Sequence, residues 1–290
     1  MDRPVKCARH PGRPAVTTCA RCERPVCTDD LIETPVGYQC VDCARSAPPV
    51  RRLGERPATP VTRALVVTIA LVAIAGPAVG LDVRSAGLVP ALVGTGEWWR
   101  LLTSALLHGG LIHLAFNGLL LWQLGQLLEP GLGTGPFLGL VAGGTAGGSL
   151  GVVGIAWLFS ATPLATLPLL GRFLGAGPLT VTVGASGAVF GLMGAVLVLL
   201  RRRGIDPWAS REGSMVGSLV VLNLVLTFVV PAISVGGHVG GLLGGAAAAT
   251  AVRLRADGAA ANTARTLLLA AVLLGLAVAA ARDLVRAFGG

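Results

Sequence analysis

Ser186 and His238 are the residues of this chain whose types and surroundings best suit chemistry. Each lies in a glycine-rich stretch that has the character of a membrane-spanning helix, Gly184–Gly187 for the serine and Gly236–Gly241 for the histidine. Polar side chains are costly at membrane depth and usually face a cavity or a partner. A serine becomes a useful nucleophile beside a general base, and neutral histidine is the usual base near neutral pH. The pair therefore predicts hydrolysis within the bilayer.

A second polar pair, His113 and Asn117, lies in another apolar run, and His108 comes just before that run. Residues four apart in a helix share one face. The oxyanion that forms when a serine attacks a carbonyl needs pre-positioned donors, and His113, Asn117 and the backbone N–H groups around Ser186 suit this role. Gly184 would let the backbone approach a substrate closely.

A carboxylate that would complete a catalytic triad is missing from this region of the sequence. Between residues 100 and 250 the acidic residues are Glu129, Asp206 and Glu212, all at predicted cytoplasmic ends of apolar runs. A Ser–His dyad is therefore expected, with His238 oriented by packing or by other hydrogen bonds. Each residue alone has a simpler interpretation, because a serine between glycines usually serves helix packing. A lone membrane histidine can likewise be a proton relay, a metal ligand or a packing residue.

The composition predicts an all-α, polytopic membrane protein. The chain is 53% apolar and 13% charged, with a mean hydropathy of +0.74, far from the values of soluble globular proteins. Apolar runs of about 20 residues match the thickness of a bilayer. Seven such segments are predicted, at 63–81, 111–129, 136–158, 184–200, 215–233, 236–252 and 265–284.

Basic residues predict how these segments cross the membrane. The net charge of +9 comes mostly from arginines at the ends of apolar runs, which is the pattern of cytoplasmic loops and argues against a nucleic-acid partner. The N-terminus is expected in the cytoplasm and the C-terminus outside. The membrane concerned is predicted to be the plasma membrane. Two long connections, 82–110 with Trp98-Trp99-Arg100 and 159–183, then lie on the exterior side.

This topology brings the polar residues to one depth. His113 and Asn117 lie near the exterior end of the second segment, Ser186 opens the fourth, and His238 opens the sixth. Their convergence below the outer surface favours catalysis over four separate packing roles. A transporter would instead be expected to carry charged residues near the midplane on broken helices.

Several segments together resemble the signature segments of rhomboid intramembrane serine proteases. They are Gly184–Gly191, His113–Asn117, His238–Gly245, Trp99-Arg100 before the second segment and Glu129 at its cytoplasmic end. The resemblance covers residues 63–285 and implies a six-helix core with one further C-terminal helix. It also implies cleavage of transmembrane segments of membrane proteins, within the lipid bilayer and without a cofactor for catalysis.

The resemblance implies roles for individual residues. Ser186 would be the nucleophile and His238 the general base, and Phe190 matches the aromatic position that packs against the catalytic histidine. Gly241 and Gly245 match glycines that let the sixth helix press against the fourth. The predicted oxyanion and substrate-binding set is His113, Asn117, Gly184, His108 and Phe190. The rival interpretation is a non-catalytic rhomboid-like protein that binds membrane proteins, and such relatives typically lack the dyad.

Residues 1–45, here called the N-terminal module, carry a separate pattern. All six cysteines lie there, and no stretch typical of a signal peptide precedes them, so we expect a reduced, cytosolic setting that favours metal over disulfides. Four pairs of metal-ligating residues have two-residue spacing, which is a strong zinc signal. The pairs are Cys7 and His10, Cys19 and Cys22, Cys27 and Asp30, and Cys40 and Cys43.

The order of these pairs resembles B-box-type cross-brace fingers. That resemblance implies two structural zinc ions, one held by Cys7, His10, Cys27 and Asp30, the other by Cys19, Cys22, Cys40 and Cys43. Asp29 competes with Asp30 for its place, and a single zinc held by four cysteines is the simpler alternative. The module would fold on its metal and would serve a cytoplasmic partner or regulation. Residues 46–62, rich in Pro and Arg, are predicted to be an extended linker.

Overall fold

The structure is a computed structural model that describes residues 5–20, 22–34, 37–45, 58–167, 170–171, 174–175, 177–206, 211–230, 233–253 and 258–289. The chain divides into two compact units, Met1–Arg56 and Pro57–Gly290. The second of these is called the membrane unit below. Most of the predicted linker, residues 46–57, lies outside the described residues. The residues that end it, from Pro60 onward, belong to the first long helix.

The N-terminal module is built from short antiparallel strands. Strand β1 (Thr17–Thr18) pairs with β2 (Pro25–Val26), and β3 (Leu31–Thr34) pairs with β4 (Gly37–Cys40), which leads into helix α1 (Val41–Arg45). The cluster of buried side chains in this unit consists of two cysteines and a single valine. So small an apolar core gives little stability, and an added cross-link or metal is needed.

The described part of the membrane unit is almost entirely helical. Three short helices come early, α3 (Val83–Ala86), α4 (Pro90–Gly94) and α5 (Arg100–Thr103). The long helices are α2 (Pro60–Ala75), α6 (Leu111–Leu132), α7 (Thr134–Ser160), α8 (Ser186–Arg202), α9 (Arg211–Val229), α10 (Val235–Ala251) and α11 (Ala259–Gly289).

A long helix lies at each of the seven predicted apolar segments. Within the described residues, four stretches are long and apolar enough to cross a bilayer: Pro60–Val79, Leu111–Leu132, Thr134–Ser160 and Ala259–Ala287. The other three helices are shorter or less apolar, and seven spans remain a prediction. The helical, multi-span character of the unit is confirmed.

Glycines set the packing of the central helices α7, α8 and α10. Gly187 lies against Gly241 and Gly191 against Gly245, so α8 and α10 run parallel in matching register. A Cβ atom added to Gly241 would lie 2.8 Å from the Cα atom of Gly187, closer than real Cβ atoms come. Small residues at such positions let helix backbones meet in lipid, where hydrophobicity does not drive helices together. The glycines therefore bring the starts of α8 and α10 side by side.

Glu129, near the end of α6, holds the beginning of α2. Its buried carboxylate accepts hydrogen bonds from the backbone N–H groups of Val61 and Thr62, each at 2.9 Å, and from the Thr62 hydroxyl at 2.6 Å. The first N–H groups of a helix have no partner within the helix, and its N-terminus favours negative charge. This contact explains why an acidic residue lies at the end of an apolar helix.

The first long connection is ordered around Arg100. Its buried guanidinium donates to the carboxylate of Glu97 at 2.7 Å and to the carbonyl of Gly87 at 2.8 Å. The Ser149 hydroxyl of α7 donates to the carbonyl of Leu101 at 2.6 Å. The Arg100 bonds hold the connection together, and the Ser149 bond attaches it to α7. Leu88 of the same connection pairs with Thr182, in the segment that leads into Ser186.

Candidate active site

Ser186 is the first residue of α8, at a tight turn between an extended segment and a helix. The segment is held by paired backbone hydrogen bonds between Leu88 and Thr182, and the Gly184 N–H donates to the carbonyl of Ser104 at 2.9 Å. Gly184 has φ of +127°, a conformation that side chains rarely adopt. Ser186 therefore lies at the N-terminus of the helix, two residues after a backbone conformation that glycine adopts easily and other residues do not.

His113 lies beside this turn. A Cβ atom added to Gly184 would be 2.7 Å from Cε1 and 2.8 Å from Nε2 of His113, and 3.7 Å from Oγ of Ser186. The other ring nitrogen of His113, Nδ1, is 3.4 Å from the Gly109 backbone N–H and accepts from it. A neutral imidazole has one N–H, so this contact leaves the proton on Nε2. Nε2, the ring nitrogen that faces the Gly184 turn, is thus a hydrogen-bond donor.

His238 lies at the start of α10 with its ring stacked on Phe190. The two ring centroids are 4.1 Å apart and the planes differ by 24°. Phe190 is one helical turn after Ser186 on the same helix, so the imidazole packs on the helix that begins with the serine. The side chain of His238 is 9% exposed. The structure thus brings Phe190 and His238 together, and their roles in catalysis stay a prediction.

Asn117 and His108 take different places around the turn. Asn117 is buried in α6, and one of its amide hydrogens goes to the carbonyl of His113 at 3.0 Å, which leaves the second for another acceptor. His108 stands edge-on to His113, with ring centroids 5.1 Å apart. Its Nε2 accepts a long hydrogen bond of 3.5 Å from the Ala185 N–H. His108 therefore supports the backbone before Ser186.

The pKa of His108 is lowered to about 4. Burial is the main cause, and the neighbouring His113 lowers it further. His108 is thus neutral at physiological pH, as its acceptor role toward Ala185 requires.

Thr227 of α9 is a further residue of the site, and sequence reasoning missed it. Its hydroxyl oxygen lies 2.6 Å from Nδ1 of His238. In the sequence it is one of several hydroxyl residues in apolar segments, with no motif around it. A polar residue in a predicted membrane helix was the available signal.

A small cavity of about 30 Å³ opens beside Ser186. Short side chains and glycines line it, among them Thr145, Gly148, Ser149 and Ser234. This volume is enough for about two water molecules, and the hydroxyl groups offer hydrogen bonds to them. The arrangement supplies room for hydrolytic water next to the serine.

The N-terminal module brings its cysteines into two clusters. The Sγ atoms of Cys19, Cys22, Cys40 and Cys43 all lie within 4.8 Å of one another. Those of Cys22 and Cys40 are 3.8 Å apart. Tetrahedral zinc with Zn–S bonds of about 2.3 Å gives sulfur atoms about 3.8 Å apart, so the donor set and spacing fit zinc.

The second cluster contains Cys7, His10 and Cys27. Nδ1 of His10 is 3.2 Å from Sγ of Cys27 and 3.9 Å from Sγ of Cys7, which also fits a shared ion. No carboxylate joins these three atoms within 4.8 Å in the part of the chain that the structure describes. Asp30 is nevertheless buried nearby in the short turn after Cys27, whereas Asp29 is half exposed and paired with Arg13. Burial favours Asp30 as the fourth ligand, and that assignment remains a prediction.

Comparison with known proteins gives the family of the membrane unit. The Rhomboid domain matches residues 95–255, which is more than half of the chain. The chain belongs to the rhomboid family. The matched range contains every site residue from His108 to His238, and it leaves out the N-terminal module. Family and helices together make this rhomboid a multi-pass integral membrane protein.

Three relatives show how far the similarity extends. Rhomboid protease GluP of Bacillus subtilis (strain 168) is 39% identical over 107 residues, which are 37% of this chain and 17% of GluP. YdcA of the same strain is 37% identical over 108 residues, 37% of this chain and 44% of YdcA. RHOMBOID-like protein 5 of Arabidopsis thaliana is 34% identical over 122 residues, 42% of this chain and 33% of that protein. The chain thus spans less than half the length of these relatives.

Proposed function

We propose that this rhomboid is an intramembrane serine endopeptidase that cleaves transmembrane segments of membrane proteins near the exterior face. Ser186 is the nucleophile and His238 the general base. The observation that carries the proposal is the stacking of the His238 ring on Phe190, 4.1 Å away between centroids and one turn after Ser186. A buried imidazole that stacks one helical turn from a serine at the start of a helix suits proton transfer.

The chemistry has two stages. His238 takes the proton of the Ser186 hydroxyl while its oxygen attacks the substrate carbonyl, and it then gives that proton to the departing amine. Water next attacks the acyl-enzyme with His238 again as the base, which releases the new carboxyl terminus and restores the serine. The cavity beside Ser186 supports this second stage because it has room for water.

Three donors stabilise the oxyanion of each tetrahedral intermediate. They are the Nε2–H of His113, the second amide hydrogen of Asn117 and the backbone N–H of Ser186. As the first residue of α8, Ser186 has an N–H without a helical partner, and the helix N-terminus favours negative charge. Gly184 leaves space next to them for the substrate backbone.

The substrate must expose a carbonyl from a membrane helix. In lipid every backbone polar group of a helix is satisfied internally, so the segment has to unwind before Ser186 can attack. Substrates with helix-breaking residues near their exterior end are therefore cleaved faster. The expected topology, with a cytoplasmic N-terminus in the plasma membrane, follows from the arginine distribution.

The N-terminal module takes no part in this chemistry. We infer that it is a B-box-like finger that binds two zinc ions and contacts a cytoplasmic partner. Cys19, Cys22, Cys40 and Cys43 hold one ion, and Cys7, His10, Cys27 and Asp30 hold the other. Zinc supplies the folding energy that its small core lacks.

A cleavage assay tests the proposed activity. The full chain is reconstituted in liposomes with a transmembrane test substrate, and wild type is compared with Ser186→Ala and His238→Ala. Ser218→Ala, which removes an exposed hydroxyl from α9, serves as the matched control. We expect each site variant to lose at least about 10³-fold in rate and the control to keep it.

Two results would overturn the proposal. If Ser186→Ala still cleaves the substrate, Ser186 is not the nucleophile. Binding of the substrate without cleavage by wild type would favour the non-catalytic rhomboid-like alternative.

A further inference from the structure

Thr227 links a third helix to the candidate base. It lies in α9, it is 1% exposed, and its hydroxyl oxygen is 2.6 Å from Nδ1 of His238. A hydroxyl buried among apolar side chains is costly unless it is hydrogen-bonded. The distance is that of a strong hydrogen bond, so the contact is part of the site's geometry.

The protons around Thr227 identify the donor in this contact. The same hydroxyl oxygen lies 2.7 Å from the backbone carbonyl of Asn223, one turn earlier in α9. A threonine hydroxyl has one proton to donate and accepts through its lone pairs. If that proton goes to the Asn223 carbonyl, which cannot donate, Nδ1–H of His238 donates to Thr227. Both contacts are then hydrogen bonds. If Thr227 instead donated its proton to Nδ1 of His238, no proton would lie between its oxygen and the Asn223 carbonyl.

We propose that Thr227 is the positioning residue of His238. Its hydroxyl accepts the Nδ1–H bond and holds the imidazole in the tautomer whose Nε2 carries a lone pair. This role rests on the proposed function, because Nε2 is the atom that would take the proton of Ser186. Phe190 fixes the plane of the ring and Thr227 fixes its rotation and tautomer.

Thr227 thus orients the histidine, which is one of the two functions of the aspartate in a Ser–His–Asp triad. A carboxylate orients the histidine and also stabilises its charged form, whereas a neutral hydroxyl provides orientation with little charge stabilisation. The described residues around the His238 ring place a hydroxyl at Nδ1 and a phenyl ring on its face.

Two substitutions test the positioning role by kinetics. Thr227→Val keeps the shape and removes the hydroxyl, and Thr227→Ser keeps the hydroxyl. We expect Thr227→Val to lower kcat about 10- to 100-fold with KM unchanged, the range typical for losing the partner that orients a functional histidine. Thr227→Ser should restore most of kcat. A Thr227→Val enzyme with wild-type kcat would overturn the proposal.

The matched control is Thr266→Val in α11. Thr266 is as deeply buried and donates to the carbonyl of Asn262, four residues earlier, at 3.0 Å, and the two carbonyls it contacts, those of Asn262 and Thr263, are not part of the site. This control reports the cost of losing a helical threonine bond alone. An equal loss of kcat in Thr227→Val and Thr266→Val would reduce Thr227 to a structural residue.

A spectroscopic measurement does not depend on activity. In protein labelled with ¹⁵N-histidine, the His238 ring signals are identified by their absence in His238→Ala. We expect the proton on Nδ1 in wild type and a redistribution toward Nε2 in Thr227→Val. A wild-type ring protonated on Nε2 overturns the proposal even if the enzyme cleaves substrate. A ring protonated on Nδ1 in an inactive wild type would leave the positioning intact and reject the proposed protease function instead.

Discussion

The N-terminal module and the membrane unit gather polar residues by opposite means. In the module, ligands come in pairs two residues apart, and short strands and turns bring the pairs together. In the membrane unit, His113, Ser186 and His238 come from three helices far apart in sequence. Local spacing therefore predicts the first kind of cluster, whereas helix packing decides the second.

The two regions also differ in what stabilises them. The buried apolar cluster of the module consists of one valine and two cysteines, so we expect the stability of the module to depend on metal. The membrane unit brings helix backbones into contact through glycines such as Gly187 and Gly241. Metal removal should thus act on one region and glycine substitution on the other.

The largest expected effect is zinc removal. Chelation should unfold the module, because structural zinc contributes apparent binding energies of about 10–16 kcal/mol near pH 7. Hydrogen exchange of the full chain measures it: residues 5–45 should lose protection while α7 and α8 keep theirs. Retained protection in the module after complete zinc loss would contradict a metal-dependent fold.

Asp30 sharpens the zinc prediction. Elemental analysis of wild type should give two zinc ions per chain, and Asp30→Ala should give one. Asp29→Ala is the matched control, since Asp29 is half exposed and paired with Arg13, and it should keep both. One zinc in wild type would support the single four-cysteine site.

The next effect concerns the oxyanion donors. Asn117→Ala should lower kcat about 10²- to 10³-fold with little change in KM, as expected when a transition-state donor is removed. Leu119→Ala, on the same helix and 52% exposed, should leave kcat unchanged. Steady-state cleavage kinetics in liposomes provide both constants. A change confined to KM would assign Asn117 to substrate binding.

The smallest effect tests helix packing. A Cβ atom at Gly151 would overlap the carbonyl oxygen of Gly236, so Gly151→Ala should lower the free energy of unfolding by about 1–3 kcal/mol. Gly154 on the same helix has open space around its Cα, and Gly154→Ala should be neutral or slightly stabilising. Denaturant unfolding in detergent compares them. Equal stability of the two variants would argue against glycine-mediated contact.

Much of the helical layout could be predicted from the sequence, because apolar runs of bilayer length have few alternatives. A helix lies at each predicted segment, but α11 (Ala259–Gly289) extends beyond 265–284 at both ends, where polar residues hide its limits. The helix α2 likewise begins at Pro60, before the predicted 63, because Glu129 satisfies its first N–H groups.

The site could be predicted only in part. The distribution of arginines predicts the direction in which each helix crosses the membrane. That direction places the polar side chains at one depth, which indicates that they form one site. Thr227 could not be found this way, because a threonine can satisfy its hydroxyl within its own helix and needs no distant partner. Its contact with His238 depends on how α9 packs, and no local pattern encodes that.

Covalent labelling of Ser186 tests the central claim most directly. A fluorophosphonate probe reacts with an activated serine, whose oxygen bonds to phosphorus as fluoride leaves. Mass spectrometry of the labelled full chain should find the adduct on Ser186 in wild type and on no serine in His238→Ala. An adduct elsewhere, or equal labelling of Ser186 without His238, would contradict a serine nucleophile activated by this histidine.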